Sequence, residues 1–549
     1  MQKRNKMCPF CYIRQLFAPK IETGAEHPVY ENGVRTTPLM GWSSWNTFRN
    51  NIDHDLIMDT ARALKESGLY EAGYRYINLD DNWHSNMRDD NGEWQGDLVR
   101  FPDGIPAVIR ELNDMGIKAG LYSSNGTLTC EDLPASLGRE RADARTLARW
   151  GAEYFKYDFC HNIPVPSYAP LVYAIEVAPL GSGKAADYQV SNAVLKGLAR
   201  RMKCAPLPGG QYVSGLDAGK GSIRFENVVA DADGDYVLTV CIKKYGRYEK
   251  YLGVTVNGAE AEGIMFPPQK HFNLTARFQT VVKLKAGRNV IELGNPVANS
   301  RDSAAIQYRR MSRLLKEAAI ERAEATGEPV KPILFSICEW GFRKPWLWGA
   351  SAGNMWRTTP DIRPWWYWIK IIYSRNVKLW KYASPGHFND PDMLEVGNGK
   401  LTRAQNMSHF ALWCMMSAPL VLGNDLRKIT KPVLDIVTNR DLIAIDQDPL
   451  GKQAKRIRRG AVDILAKPLA DGGIAVCFFN KTKLAQKRRL DVRKLYTDDY
   501  VSPSAAGKGA ASVGVIGEVM SIITGDASLE KGRIVARIPA DSVVVVKLK

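Results

Sequence analysis

The sequence predicts an α/β protein built on an eight-stranded (β/α)8 TIM barrel, with a β-sandwich inserted into the barrel and an antiparallel β domain after it. Three observations predict this. From residue 37, short apolar or β-branched runs ending in polar residues alternate with segments of helical periodicity, the rhythm of βα units. Near residue 165 that rhythm gives way to short alternating strands punctuated by Gly, Asn and Asp, and near 305 it resumes. Counted across the gap, the strand-like units number eight, which closes a parallel barrel.

The first unit is PLMGWSSWN (38–46) with the amphipathic DLIMDTARALKESGL (55–69), and the second is YRYINLDD (74–81) with GIPAVIRELNDMG (104–116). IKAGLYSSN (117–125) precedes RADARTLARWG (141–151), and AEYFKYDF (152–159) is the fourth strand. The interruption contains YVLTVCIKK (236–244), YLGVTVNG (251–258) and RFQTVVKL (277–284), which read as a sandwich whose two ends lie close enough to leave the barrel intact. A helix over 307–325 leads back to PILFSICEW (332–340), NMWRTTPDI (354–362), a Trp-rich helix over 364–380 expected as core or interface, HFNDPDMLEV (387–396) and APLVLGNDL (418–426). The expected domains are an N-terminal extension (1–35), the barrel in two parts (36–163 and 306–452), the insert (164–305) and the C-terminal β domain (453–549). Such a division suits 549 residues, too many for one core.

A content of 45% hydrophobic and 24% charged residues excludes a disordered or fibrous chain. The formal charge of +17 would permit nucleic-acid binding, but the basic stretches 451–460 and 481–494 interleave with apolar residues and carry no nucleic-acid motif. They are expected as solvated sheet edges. No run approaches the roughly 18 apolar residues of a membrane span, and ALWCMMSAPLVLG (411–423) is expected in the core. The start of the chain has basic residues but no sustained apolar run or small-residue cleavage site, so a cytoplasmic location is expected. Nine Cys are too sparse for a disulfide scaffold, and the lone CPFC (Cys8, Cys11) has no second ligand pair, so no metal or cofactor is expected. Nothing in the sequence sets an oligomeric state.

Barrel chemistry gathers at the C-terminal ends of strands. Here those ends carry Trp42 and Trp45, Asp80 and Asp81, Tyr122, Lys156 and Asp158, Glu339 and Trp340, Arg357 and Asp361, then Asp390 and Asp392. A single strand-end Asp is often a helix cap, but polar ends recurring in seven units exceed what capping explains. Carboxylates bind hydroxyl pairs through charge-assisted hydrogen bonds, and a Trp face covers the apolar side of a pyranose. Cleaving a glycosidic bond then needs one ionised and one protonated carboxyl, so their surroundings must differ: a neighbouring Lys156 or Arg357 keeps one charged, and a drier one without a cation holds its proton.

The stretches TPLMGWSSWNTF (37–48), YRYINLDDNW (74–83), KYDFC (156–160), CEWG (338–341), WRTTPDI (356–362) and NDPDMLEVGNG (389–399) resemble glycoside hydrolase family 27, the α-galactosidases and α-N-acetylgalactosaminidases. The resemblance implies Asp158 as nucleophile and Asp361 as acid/base, Asp80 and Asp81 on the 4- and 6-hydroxyls with Lys156 near the former, and Trp45 as a hydrophobic wall. It places Arg357 and Glu339 near the 2-hydroxyl and completes the pocket with Tyr122, Asp392 and Met393. Glu339 and Trp340 match the galactosidases, which implies an α-galactoside oligosaccharide or glycoconjugate as substrate. Cys130 and Cys160 match one family disulfide, whereas Asn50 and Asn82 stand where the family usually has the Cys pair of another, a loss coherent with a reducing compartment. The insert is similar to carbohydrate-binding modules of the sandwich type. Other exo-glycosidases of this family (α-N-acetylgalactosaminidase, β-L-arabinopyranosidase or isomaltodextranase), or a non-catalytic carbohydrate-binding protein, remain as alternatives.

Overall fold

Parallel strands buried on both faces read as near-continuous apolar runs, and here eight of them close on themselves. The structure, a computed structural model, describes residues 13–14, 17–21, 24–34, 36–268, 274–495 and 520–549. The CPFC motif lies outside them. The barrel strands are β1 (Met40–Ser43), β2 (Tyr76–Leu79), β3 (Lys118–Ser124), β4 (Tyr154–Asp158), β5 (Leu334–Ile337), β6 (Met355–Arg357), β7 (Phe388–Asp390) and β8 (Leu420–Leu422). They pair in parallel in chain order, and β8 returns to β1 with Met40 opposite Leu420. A bridge from Leu394 to Leu422, with the Leu394 amide donating to Val421 O at 2.7 Å, closes the ring beyond β7. Leu39, Tyr76, Tyr154, Leu334, Met355, Phe388 and Val421, each from a barrel strand or its edge, form one buried cluster that fills the interior.

The helices follow from their caps and stripes. In α1 (His54–Glu66), Asp53 accepts from the Leu56 amide at 2.8 Å, and Leu56, Ile57, Ala61 and Leu64 turn inward. Further along run α2 (Ile105–Asp114), α3 (Glu140–Trp150), α4 (Ser300–Thr326), α5 (Trp366–Asn376) and α6 (Arg403–Met415). A reciprocal Thr402–Gln405 capping box starts α6, and its Phe410–Met415 stretch is wholly buried, as expected of the most apolar segment. Among the described residues no helix is long and apolar enough to cross a membrane.

One buried ion pair holds the loop after β2 to α3. Arg88 grips Asp143 through both guanidinium nitrogens at 2.6 and 2.8 Å, donates to Ala135 O and Gly92 O, and lies over the Trp94 ring. Asp143 is fully buried, and burial raises its pKa to about 6 against the opposing pull of Arg88. Arg88→Met would strand that carboxyl, and a loss of about 3–5 kcal/mol is expected, measured as a lower denaturation midpoint.

The chain divides into two compact units, 30–163 with 311–549, and 164–310 with the described part of 1–29. The second unit contains two antiparallel sheets, with Val172, Ile175, Leu238 and Val240 from one and Ile223, Phe225, Leu252 and Ile291 from the other sharing a single core. The N-terminal segment packs on this sandwich, the Ile21 amide donating to Gly219 O and the Glu26 amide to Gly258 O.

In the first unit, the described residues 455–495 and 520–548 add a five-stranded and a three-stranded antiparallel sheet around Ile464, Phe478, Ile534 and Val546. Its basic strands Lys455–Arg458 and Gln486–Asp491 lie at the edges of these sheets. Trp366 and Tyr373 of the Trp-rich α5 meet Phe479 edge-on at 5.9 and 5.1 Å, so the helix packs between barrel and β domain.

Candidate active site

Seven of the eight barrel strands deliver residues at their ends to one cavity. After β2, Asp80 accepts from Ser43 Oγ (3.1 Å) and from Lys156 Nζ (2.9 and 3.2 Å), the latter reaching across from β4. Asp81 accepts from the amides of Asn82 (2.8 Å) and Glu131 (3.0 Å), yet burial still raises it to about 6. Tyr122 of β3 donates toward Cys130 Sγ at 3.3 Å, with the Lys156 ammonium over its ring.

Asp158 ends β4 and is 5% exposed, one oxygen held by the Phe159 amide at 2.8 Å. Cys130 and Cys160 form a disulfide that ties the loop after β3 to the residue two beyond Asp158, and Cys130 Sγ lies 3.9 Å from the carboxylate. With both sulfurs bonded to each other, this cluster offers no thiolate to a metal. Arg100 Nη1 donates to the carbonyls of both Asn50 and Asn82, at 2.5 and 3.3 Å, joining the segments after β1 and β2 without a covalent bond.

Across the barrel, Arg357 of β6 is shared by two acids, Asp392 at 2.7 Å and Asp361 at 3.0 Å. Asp392 sits at φ 88°, a strained position for a non-glycine residue, pinned by amide donors from Ile362 and Met393 and by Trp413 Nε1 on its carbonyl. Trp368 Nε1 likewise holds the Asp361 carbonyl at 2.8 Å and leaves the Asp361 side chain 62% exposed.

Asp158, Asp361, Trp45, Asp80, Asp81, Tyr122, Lys156, Trp340, Arg357, Asp392 and Met393 all line one cavity of about 170 Å³. That is the scale of a single sugar ring. Of the residues named at strand ends, Trp42, Asp390 and Glu339 do not line it; the Glu339 carboxylate turns to the Arg343 amide (2.7 Å) and guanidinium (3.5 Å) and is fully buried, which raises it to about 7. Between them the backbone passes Gly341 at φ 78°, where a Cβ would lie 2.2 Å from Thr358 O, so only glycine fits the turn. Sequence reasoning had named no role for Asn46, Arg49, Arg363 or Glu395, which also line the cavity. Glu395 lies in the quoted NDPDMLEV stretch, and its place just past a strand end was the available signal; it accepts from Asn46 at 2.9 Å and Asn398 at 2.6 Å.

The sequence predicts one carboxyl kept charged by a neighbouring Lys156 or Arg357 and a drier one that holds its proton, and leaves open which is which. Burial raises Asp158 to about 6, outweighing Lys156, and the Asp361 charge adds to the rise. Burial also lifts Asp361, but the Arg357 charge and hydrogen bond, helped by Lys156 and Arg363, outweigh it and set its pKa below the usual carboxylate value. The reason is geometric: Arg357 bonds to Asp361, and Asp158 is the deeper group.

Residues 37–193 and 309–448 match the family described as Alpha galactosidase A. The chain is 32% identical to an alpha-galactosidase A of Cellvibrio japonicus, over 85% of this chain and 81% of that protein. It is 30% identical to Alpha-galactosidase 2 of Arabidopsis thaliana, over 82% and 77%. Among solved structures, alpha-galactosidase I of Mortierella vinacea superimposes with a TM-score of 0.61 at 23% identity, covering 94% of this chain and 98% of that one, which supports the barrel fold. With this family match and these relatives, the chain belongs to the α-galactosidase A family of glycoside hydrolases, glycoside hydrolase family 27.

Proposed function

We propose that the protein is a retaining exo-acting α-galactosidase that removes terminal α-linked galactose from oligosaccharides or glycoconjugates. One observation carries the mechanism: two carboxyls line the same one-ring cavity at different depths, Asp158 buried and Asp361 open to solvent. A leaving group must depart through the mouth, so its proton donor belongs there, and the attacking oxygen belongs beneath the ring.

In the first step a charged Asp158 oxygen bonds to the anomeric carbon as the glycosidic C–O bond breaks, and the departing oxygen takes the proton of Asp361. In the second, Asp361 accepts a proton from water, the water oxygen bonds to the anomeric carbon, and Asp158 leaves as a carboxylate. Two inversions give retention. Asp80, held by Lys156, and Asp81 present acceptors to sugar hydroxyls, and Trp45 offers a ring face. Trp340 narrows the wall and disfavours a bulkier 2-acetamido group.

The test is hydrolysis of p-nitrophenyl α-galactoside beside its α-N-acetylgalactosaminide, with the first-formed anomer read by proton NMR. The α-galactoside is expected to be cleaved preferentially with α-galactose appearing first; initial β-galactose would contradict the scheme.

A further inference from the structure

Beyond the ring-sized floor, the cavity reaches two exposed arginines to which the bond-making steps above assign no contact, the Arg363 charge only helping to lower Asp361. Arg49 follows the short helix Trp45–Phe48 after β1, and Arg363 lies two residues past Asp361; both line the cavity. Every other cation there is committed, Lys156 to Asp80 and Arg357 to Asp361 and Asp392. Among the described residues neither the Arg49 nor the Arg363 guanidinium has an ion-pair or hydrogen-bond partner, and Arg363 has only the Trp365 ring, 6.0 Å away.

Glu395, which feels the Arg49 charge, makes no ion pair with it. Both Glu395 oxygens accept from amide side chains, those of Asn46 and Asn398, and burial raises the group to about 7 against the smaller pull of Arg49. The backbone at Arg49 has φ 51° and ψ −120°, costly for a residue with a Cβ, and the Arg49 amide donates to Trp45 O at 2.9 Å. On another side of the opening, Trp340 lines the cavity and meets the 68% exposed Phe342 at 6.3 Å, supplying ring faces for a second sugar.

We propose that the leaving-group side of this cavity receives an anionic aglycone, a saccharide bearing a carboxylate or sulfate ester that Arg49 and Arg363 bind. This rests on the α-galactosidase reading and specifies its substrate class. A guanidinium suits either anion because its planar fork donates two parallel hydrogen bonds, and it stays charged at any working pH. The net charge of +17 favours the approach of such substrates. The competing account is that these arginines merely offset the acids on the cavity floor, in which case the charge of the leaving group would be immaterial.

Aryl α-galactosides of similar phenol acidity separate the two: 3-carbamoylphenyl as the neutral probe, 3-carboxyphenyl and 3-sulfophenyl as the anionic ones. At low salt kcat/KM is expected to favour the anionic probes by about tenfold, with the preference shrinking as ionic strength rises. In the Arg49→Gln/Arg363→Gln double variant the anionic-to-neutral ratio is expected to fall to within about twofold of unity, and in each single variant to an intermediate value. The better of the two anionic probes tells a sulfate from a uronate. Equal kcat/KM for charged and neutral probes in the parent enzyme, or a double variant that slows all three by one common factor, would overturn the inference while leaving galactoside cleavage intact. Failure of the folded parent enzyme to cleave any of the three would instead strike at the α-galactosidase reading itself.

Discussion

Asp158→Asn is expected to lower kcat on p-nitrophenyl α-galactoside by about 10⁴-fold or more, the scale of loss when a covalent nucleophile is removed. The substitution keeps the shape and the acceptor that takes the Phe159 amide, so the β4 end should hold its place. It removes only the oxygen that can carry the sugar. Activated leaving groups should bring no recovery, because an amide cannot form the glycosyl ester whatever departs. Kinetic assay with a matching denaturation midpoint checks this, and residual activity within about tenfold of the parent enzyme would remove Asp158 from its role.

The barrel was legible because its physics is repetitive. Strands such as YRYINLDD are mostly apolar within the ring and acidic where they leave it, so strand and site are written in one run. The same logic assembled the strand-end residues except Trp42, Glu339 and Asp390, which lie outside the cavity lining. What could not be read was allegiance among side chains. Glu339 ends its strand like the others, but its carboxylate accepts from the Arg343 amide four residues on, across a turn where Gly341 packs against Thr358 O. Arg357 is one turn of sequence from Asp361 and far from Asp392, and only the fold shows it shared between them. The N-terminal segment gave no clue that its amides pair with carbonyls of the sandwich, since backbone donors leave no trace in residue type. The Arg100 bridge between Asn50 and Asn82 belongs to the same class: two carbonyls have no sequence signature.

Asp361→Ala should divide the reaction by leaving group. For an unactivated oligosaccharide, loss of the proton donor is expected to cost about 10²–10⁴-fold in kcat/KM. For a nitrophenyl galactoside, whose phenolate departs unaided, the first step should survive and the second should stall for want of a base, so a burst of phenol and an accumulated galactosyl-Asp158 are expected in stopped-flow and mass measurements. The pH profile then reads the proton directly. In the parent enzyme the reactive form carries one proton between the pair, and burial places the upper step of that pair at about 6, so kcat/KM is expected to fall as pH rises above about 6. With Asp361 gone, only the charge on Asp158 matters, and activity on the activated substrate should instead increase with pH to a plateau. The Asp361 charge is one of the influences holding Asp158 up, so that increase should be centred below 6. An Asp361→Ala enzyme that kept the parent's alkaline decline would show that the proton lost near 6 belongs to another group, and Asp361 would no longer be the acid.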